Sequence, residues 1–224
     1  MINFVKKNKW KIIISSIVTL LPIVAGLILW DKLPDMVPSH WGPTGEVDRY
    51  SSKEFFVFGL PLIMLGLNIL CTIATGLDPK HKNNEGKPLI LVYGLIPALT
   101  ILLSVVIYFS ALGLPLPVMS LIIAAVGLML VLVGNYLPKC KPSYTIGIKI
   151  SWTLNSEKNW VATHRMAGKL WVICGALIML ASLLPENLII WFVLPIFALS
   201  VIIPFVYSYV YYKKYDNEEA DDEN

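Results

Sequence analysis

The sequence predicts an all-α integral membrane protein, a bundle of six transmembrane helices with two long loops and three short connections. Three observations predict it: six long apolar runs, an apolar fraction of 56% with a mean hydropathy of +0.68, and a very uneven placement of basic residues. None of the runs contains an Asp, Glu, Lys, Arg or His. The runs are Ile12–Trp30, Phe55–Leu77, Leu89–Leu112, Pro117–Leu137, Leu170–Leu184 and Leu188–Tyr212.

The lengths of these runs fit a lipid bilayer. An α-helix rises about 1.5 Å per residue, so a hydrocarbon core of about 30 Å takes about 20 residues. Five runs have about this length, and the run at Leu170–Leu184 reaches it when it is extended back to Ala167. Six spans use most of the 224 residues. Function is therefore expected in the loops or on uncharged membrane surfaces.

The basic residues predict how the helices are oriented in the membrane. Of the 18 Lys and Arg residues, four precede the first run, three lie in the second connection, six in the fourth and two after the last run. These segments alternate with the first loop, which carries the remaining three, and with two connections that carry none. Because cytoplasmic loops are enriched in Lys and Arg, we expect both termini in the cytoplasm and an uncleaved first helix in a bacterial plasma membrane.

Within this bundle the sequence predicts two membrane modules and a tail. Residues 1–112 hold three helices and a structured extracellular loop at 31–54, and residues 113–212 hold three helices and a long cytoplasmic loop at 138–166. Residues 213–224 are rich in acids, so we expect a solvated, disordered tail. The connection at 78–88 is interpreted as a plain basic turn, which leaves the two long loops as the expected functional regions.

The outer loop combines stiff and flexible residues around an aromatic pair. Three prolines stiffen it, while Gly42 and Gly45 permit tight turns beside His40 and Trp41, which predicts a compact cap. Its five acids against three bases favour a cationic or amphipathic ligand, and a lid that only closes the bundle is the alternative. No second His or Cys accompanies His40 in this loop, so no metal site is predicted.

The cytoplasmic loop begins with an extended, β-branched stretch and ends in a predicted helix. Ser156 is a suitable N-cap for a helix that starts at Glu157 and continues into the fifth run. Two interpretations of this helix stay open: an anchor in the lipid headgroup layer and a docking surface for a cytoplasmic partner. Residues spaced +4, +3 and +4 share one of its faces, namely Trp160, His164, Ala167 and Trp171.

Catalysis finds no support in the sequence. The three histidines cannot converge, because His40 is predicted outside the membrane and His81 and His164 inside it. The chain also lacks the HExxH, GxSxG and P-loop patterns. We therefore predict a protein that is not an enzyme and that needs no cofactor.

Transport is the alternative function. Ion-coupled transporters usually carry ionisable residues inside their spans, and these runs have none. Asn68 and Asn135 are the main polar residues in the runs, and each is interpreted as a helix–helix hydrogen bond. Prolines such as Pro195 and Pro204 keep small-molecule or peptide efflux open, because broken helices are common in transporters.

Both long loops resemble the SdpI-like immunity protein family. The outer loop resembles the N-terminal module of unknown function common in these proteins, through Pro34-Asp35-x-x-Pro38-x-His40-Trp41-x-x-x-Gly45-x-x-Asp48-x-Tyr50-x-x-Lys53. The second half is similar to the family core through Asn135, then Ile146-Gly147-Ile148-Lys149-x-x-Trp152-Thr153-Leu154, then Trp160-x-x-x-His164-Arg165-x-x-Gly168. The order of these motifs and the six-span layout agree over nearly the whole chain.

This resemblance implies immunity to a secreted, membrane-active peptide toxin of the sporulation-delaying type, with the lipid bilayer and that toxin as partners. In the founding member it also implies that a cytoplasmic autorepressor is held at the membrane; direct nucleic-acid binding is not expected. The toxin-facing candidates are Pro38, His40, Trp41, Gly45, Asp48 and Lys53. The candidates for a cytoplasmic partner are Asn135, Gly147, Lys149, Trp152, Thr153, Leu154, Trp160, His164 and Arg165.

One segment departs from the family pattern. The family usually has Arg-Thr-Pro directly before Trp-Thr-Leu, whereas this chain has Lys149-Ile150-Ser151. A lysine cannot make the two parallel hydrogen bonds of a bidentate arginine. A partner or phosphate contact made through that arginine is therefore not carried over to Lys149.

Overall fold

The computed structural model describes residues 1–42, 45–84, 86 and 88–216, and among them six helices are long and apolar enough to cross a membrane, as the sequence predicts. A small β-hairpin, which the sequence analysis does not predict, follows the first helix. The predicted acidic tail lies outside the described residues from position 217 onward. The elements are α1 Ile2–Ile28, β1 Met36–Trp41, β2 Val47–Ser52, a π-helical turn Phe55–Gly59, α2 Leu60–Leu77, α3 Leu89–Ala111, α4 Val118–Tyr136, α5 Ser151–Asn155, α6 Glu157–Ala181 and α7 Glu186–Tyr211.

Two helices begin well before their apolar runs. α1 begins at Ile2, so its first turns carry the N-terminal lysines. α6 begins at Glu157, where the Ser156 hydroxyl accepts a hydrogen bond from the Asn159 N–H at 3.1 Å. This bond satisfies one of the amide groups that a helix start leaves unpaired. The predicted N-cap and the predicted continuity of the fifth span are both confirmed.

The chain forms two compact units. The first comprises Met1–Leu77 and Ile90–Ile122, and the second comprises Asp78–Leu89 and Ile123–Asn224. The chain therefore passes from one unit to the other three times, once within α4. The boundary between modules at residues 112 and 113 stays a prediction.

A buried amide joins two helices of the first unit. The Asn68 side chain on α2 is 1% exposed, and its Nδ2 donates to the Ser15 hydroxyl of α1 at 3.0 Å. The predicted helix–helix hydrogen bond of Asn68 is confirmed. Further along α1, the Tyr108 hydroxyl of α3 donates to the Pro22 carbonyl at 3.1 Å. Neutral polar groups thus connect these helices without placing a charge in the apolar region.

Glycines bring α4 and α6 together in the second unit. A Cβ atom at Gly175 would lie 2.5 Å from the Gly127 carbonyl oxygen, and one at Gly134 would lie 2.9 Å from the Gly168 carbonyl oxygen. Each helix therefore presents two glycines spaced seven residues apart to the other. Without a side chain between them the two backbones approach closely, which is the usual way for small residues to stabilise membrane helix pairs.

Another buried amide joins α6 to α7. Asn159 is fully buried, and its Oδ1 accepts hydrogen bonds from the hydroxyls of Thr163 at 2.9 Å and Ser208 at 2.8 Å. Asn135, by contrast, is exposed on α4, and no side-chain hydrogen bond joins it to another residue in the described part of the chain. Its predicted role as a helix–helix hydrogen bond is wrong, because its side chain is exposed rather than buried between helices.

We expect Gly175→Leu to destabilise the protein by about 1–3 kcal/mol, because the new side chain would overlap the α4 backbone. A melting experiment on the detergent-purified protein should show a loss of several degrees. Gly66→Leu is the matched control, because a Cβ on this exposed glycine of α2 meets no atom within 4 Å. Equal melting temperatures for the two variants would contradict the close α4–α6 contact.

Candidate functional site

The first long loop is a β-hairpin that rests on apolar side chains of the first unit. Met36 lies opposite Ser52, and Trp41 lies opposite Val47. Val37 is 1% exposed, and Trp41 is half-buried against the same apolar cluster. The cluster consists of Leu33, Val37, Phe56, Val57, Ile107 and Tyr108. The loop is thus a folded cap whose position is fixed by burial of Val37 on β1.

The outward face of the hairpin carries a pair of polar side chains. His40 Nδ1 lies 2.7 Å from Asp48 Oδ1, with 61% and 47% of the two side chains exposed. Pro38 is buried in β1, so it shapes the strand and leaves no surface for a ligand. The Lys53 side chain is restrained by two contacts: its Nζ lies 3.0 Å from Asp35 and 5.0 Å from the centre of the Trp30 ring.

A glycine closes the turn of the hairpin. Gly45 has a φ of 87°, a conformation that side chains disfavour, and its N–H donates to the Gly42 carbonyl at 3.0 Å. The Gly42 N–H in turn donates to the Glu46 carbonyl at 2.8 Å. Residues 43 and 44 lie outside the described residues. Gly45 therefore acts through the backbone, and His40 and Asp48 are the outer-loop candidates most available to a ligand.

A stacked aromatic pair forms the centre of the 138–166 loop. The Trp160 and His164 rings are 4.0 Å apart and nearly parallel, and both residues are almost fully buried. His164 Nδ1 donates to the Trp160 carbonyl at 2.8 Å, and its Nε2 accepts from the Ile148 N–H at 2.9 Å. Because these two bonds require a hydrogen on Nδ1 and none on Nε2, the imidazole is neutral. The first two residues of the predicted helical face thus pack against their own loop, whereas Trp171 Nε1 donates to the Ser200 carbonyl of α7 at 2.8 Å.

Gly147 lets the loop pass over this aromatic pair. Its φ is 122°, and a Cβ atom there would lie 2.5 Å from His164 Nε2 and 2.7 Å from the Trp160 ring. On the other side of the loop, Trp160 Nε1 donates to the Cys140 carbonyl at 2.8 Å. Burial raises the pKa of the Cys140 thiol to about 11, against the weaker opposing effect of Lys139. This thiol is therefore protonated and unreactive near neutral pH.

A short helix that the sequence analysis does not predict, α5, continues the loop. The buried Thr153 hydroxyl donates to the Ile148 carbonyl at 2.7 Å and accepts from the Ile150 N–H at 3.2 Å, which fixes the turn into the helix. Trp152 packs its ring against a row of aromatic residues on and beyond α7, namely Phe205, Tyr209 and Tyr212. Leu154 is half-buried. The Trp-Thr-Leu motif thus attaches the loop to the last helix.

Asp78 is the main residue of this site that the sequence analysis missed. It is 4% exposed, and its Oδ2 accepts hydrogen bonds from the Tyr144 N–H at 2.9 Å, the Thr145 N–H at 3.1 Å and the Thr145 hydroxyl at 2.9 Å. Its Oδ1 accepts from the Lys80 N–H at 2.8 Å. The connection interpreted as a plain basic turn therefore holds the start of the 138–166 loop. The sequence does show an acid directly after an apolar run. Its partners lie 66 and 67 residues away, so local spacing does not indicate which groups the acid binds.

The exposed part of this region is a groove between α5, the start of α6 and the end of α7. It has a volume of about 830 Å³, and its lining includes Glu157, Lys158, Val161, Arg165 and Tyr211. Val161 is 46% exposed, and Arg165 is exposed as well. A surface that joins charged side chains to an exposed apolar one is suited to binding another protein.

Most of the predicted partner residues shape or attach the loop. Gly147, Thr153, Trp160 and His164 come together inside it, Leu154 is half-buried, and Trp152 packs on aromatic residues of α7. Lys149 and Arg165 are exposed, and so is Asn135, which lies apart on α4. No group of three or more His, Cys, Asp and Glu residues that could hold a metal ion occurs in the part of the chain that the structure describes.

Six membrane-spanning helices with a folded hairpin and a folded loop define a multi-pass cell membrane protein. Comparison with known proteins then identifies the family to which it is similar. The model of the SdpI/YfhL protein family matches residues 139–208, and the model of a domain of unknown function, DUF1648, matches residues 17–65. The chain is similar to the Immunity protein SdpI of Bacillus subtilis (strain 168), with 30% identity over 215 residues, 93% of this chain and 97% of the relative.

The chain belongs to the SdpI family, as the resemblance of its motifs predicts. No solved structure matches it. The family model covers the 138–166 loop almost completely together with α6 and most of α7, and the second model covers the hairpin. Both candidate regions thus fall within the matched segments.

We expect Gly147→Ala to disturb the loop, because the added methyl group would overlap the His164 and Trp160 rings. The melting temperature should fall by several degrees. In a background without Cys71 and Cys174, alkylation of Cys140 at pH 8 should become faster.

The control for Gly147→Ala is Gly86→Ala. Gly86 also has a positive φ, 102°, but a Cβ atom there meets nothing within 4 Å. This variant carries the same kind of backbone cost without the overlap. If both variants behave alike, the aromatic pair does not hold the loop.

We expect Asp78→Asn to destabilise the protein by about 1–3 kcal/mol. The amide NH₂ of asparagine would have to face at least one backbone N–H that now donates a hydrogen bond to the carboxylate, and two donors cannot bond to each other. Melting of the purified protein measures the loss. The exposed acid Asp31 provides the control as Asp31→Asn, which should melt like the unaltered protein. An unchanged melting temperature for Asp78→Asn would show that the carboxylate does not hold the loop.

Proposed function

We propose that this protein is a membrane immunity protein that protects the cell producing it against a secreted, membrane-active peptide toxin of the sporulation-delaying type. The observation that carries the proposal is the match to the Immunity protein SdpI over 93% of the chain. A match of this extent includes both long loops as well as the spans. It favours immunity over the alternative of a small-molecule or peptide transporter, and it favours a role without catalysis.

The hairpin offers a surface that fits such a toxin. Its exposed acid Asp48 lies two residues from Tyr50 on β2, and Tyr50 is 54% exposed; Met36, on β1, is 53% exposed. A cationic, amphipathic peptide presents the complementary groups. With both termini in the cytoplasm, as the basic residues predict, the hairpin faces the side from which a secreted toxin arrives. Toxin capture by the hairpin would keep the peptide from inserting into the bilayer.

The groove beside the 138–166 loop favours a second, signalling role. Its exposed Arg165 and Val161 lie on the side predicted to be cytoplasmic, and Lys149 of the same loop is exposed as well. A repressor could be held there when the toxin is bound. Such coupling requires that the toxin bind one of two loop conformations more tightly than the other.

We expect Asp48→Ala and His40→Ala to lower survival during toxin challenge at least about tenfold, because loss of one good polar contact weakens binding by about that factor. Survival of a sensitive host is the readout, with membrane abundance measured alongside. Asp31→Ala is the control, because Asp31 is an exposed acid of the same loop outside the hairpin strands.

The same experiment separates the two proposed roles. Lys149→Ala and Arg165→Ala should leave survival unchanged and alter a transcriptional reporter fused to the promoter of the immunity gene. If Asp31→Ala lowers survival as much as Asp48→Ala does, general surface charge replaces the hairpin as the explanation. If the cytoplasmic variants lose survival at normal abundance, the division between the loops is wrong.

A further inference from the structure

An apolar groove runs between α1 and α3 of the first unit. It has a volume of about 530 Å³, with Lys11, Ile90 and Tyr93 at one end and Ile101 at the other. A second recess of about 220 Å³ also contacts Ile101 and continues along the same helices to Ala25. From Lys11 to Ala25, α1 rises about 21 Å. This exceeds half of a hydrocarbon core of about 30 Å, so an acyl chain from one leaflet fits along it.

The charge at the groove is positive and confined to its mouth. Lys11 is the only charged residue among its described lining residues, and its Nζ donates a hydrogen bond to the neutral Asn8 Oδ1 at 3.3 Å. Three more lysines precede it on the same helix, at positions 6, 7 and 9. Basic residues where a helix enters the membrane attract anionic lipid headgroups.

A buried hydroxyl without a partner lies one turn into α3. Tyr93 is 7% exposed, and its hydroxyl has no hydrogen-bond partner in the described part of the chain. A buried polar group in this state costs free energy and is usually paired with protein, water or ligand. In a phospholipid, the ester carbonyls lie just below the phosphate. Lys11 and Tyr93, at the same end of the groove, thus offer a cation for the phosphate and a hydroxyl donor for an ester carbonyl of such a lipid.

The floor of the groove is open at Gly94. A Cβ atom on this glycine meets nothing within 4 Å, although Gly94 lines the groove together with Pro97 and Ala98. Small residues on α3 therefore create the space that larger side chains would fill. A helical peptide about 10 Å wide and about 21 Å long, the distance from Lys11 to Ala25 along α1, would occupy about 1,600 Å³. The two recesses together hold less than half of that, which favours an acyl chain over a toxin helix.

We propose that the α1–α3 groove binds one anionic phospholipid. Its phosphate contacts Lys11, an ester carbonyl accepts a hydrogen bond from the Tyr93 hydroxyl, and one acyl chain lies along Gly94 toward Ile101. This site is independent of the proposed immunity function, because it uses neither the hairpin nor the 138–166 loop.

Native mass spectrometry of the delipidated, full-length protein with added phosphatidylglycerol tests this site. One molecule of phosphatidylglycerol should bind to each protein. Its affinity should be higher than that of phosphatidylcholine. Gly94→Leu should weaken phosphatidylglycerol binding about tenfold, because its side chain takes the place of two or more methylene groups. Gly66→Leu, the same change on open surface of α2, should bind like the unaltered protein.

Two further variants test the headgroup contacts. Lys11→Gln should reduce the preference for phosphatidylglycerol over phosphatidylcholine about fivefold while retaining a bound lipid. Tyr93→Phe should weaken the binding of phosphatidylglycerol and of phosphatidylcholine to a similar degree. Equal phosphatidylglycerol binding by Gly94→Leu and Gly66→Leu, with both variants melting normally, would overturn the proposal. A Gly94→Leu variant that loses toxin protection but still binds lipid would also overturn the proposal. The groove would then be occupied by the toxin peptide.

Discussion

The hydrocarbon core of the bilayer offers no hydrogen-bond partners, and this constraint organises the whole molecule. Inside the spans, a polar contact between helices is neutral and paired, as at Asn68 with Ser15. The one carboxylate that is almost fully buried, among the described residues, lies just beyond a span, at Asp78, where backbone N–H groups surround it. Binding chemistry is thereby confined to the loops and to grooves that lipid or peptide can occupy.

The two loops meet this constraint in different ways. The hairpin buries Val37 and leaves His40 and Asp48 exposed, so its motif residues include ones that can touch a ligand. In the 138–166 loop the most recognisable motif residues are buried. Trp160 and His164 form its interior, whereas Lys149 and Arg165 are exposed on its surface. A residue that identifies a family therefore need not be the residue that contacts the partner.

The sequence was sufficient for the features that depend on composition and local spacing. Apolar runs predict the six spans, and Ser156 predicts the start of α6. The hairpin was missed because β2 is polar and mostly exposed, so no alternating pattern marks it, and its stability comes from Val37 packing on distant helices. α5 spans only five residues. Asp78 depends on partners far along the chain, and hydropathy does not tell which face of α4 carries Asn135.

Immunity to a membrane-active peptide can be tested by expressing this protein in a toxin-sensitive Gram-positive host that lacks an immunity gene. Membrane potential is then measured during challenge with a sporulation-delaying-type peptide. We expect the potential to be maintained in cells containing the protein and to collapse in cells without it. Collapse in both, with the protein confirmed in the membrane, would contradict immunity to this class of toxin.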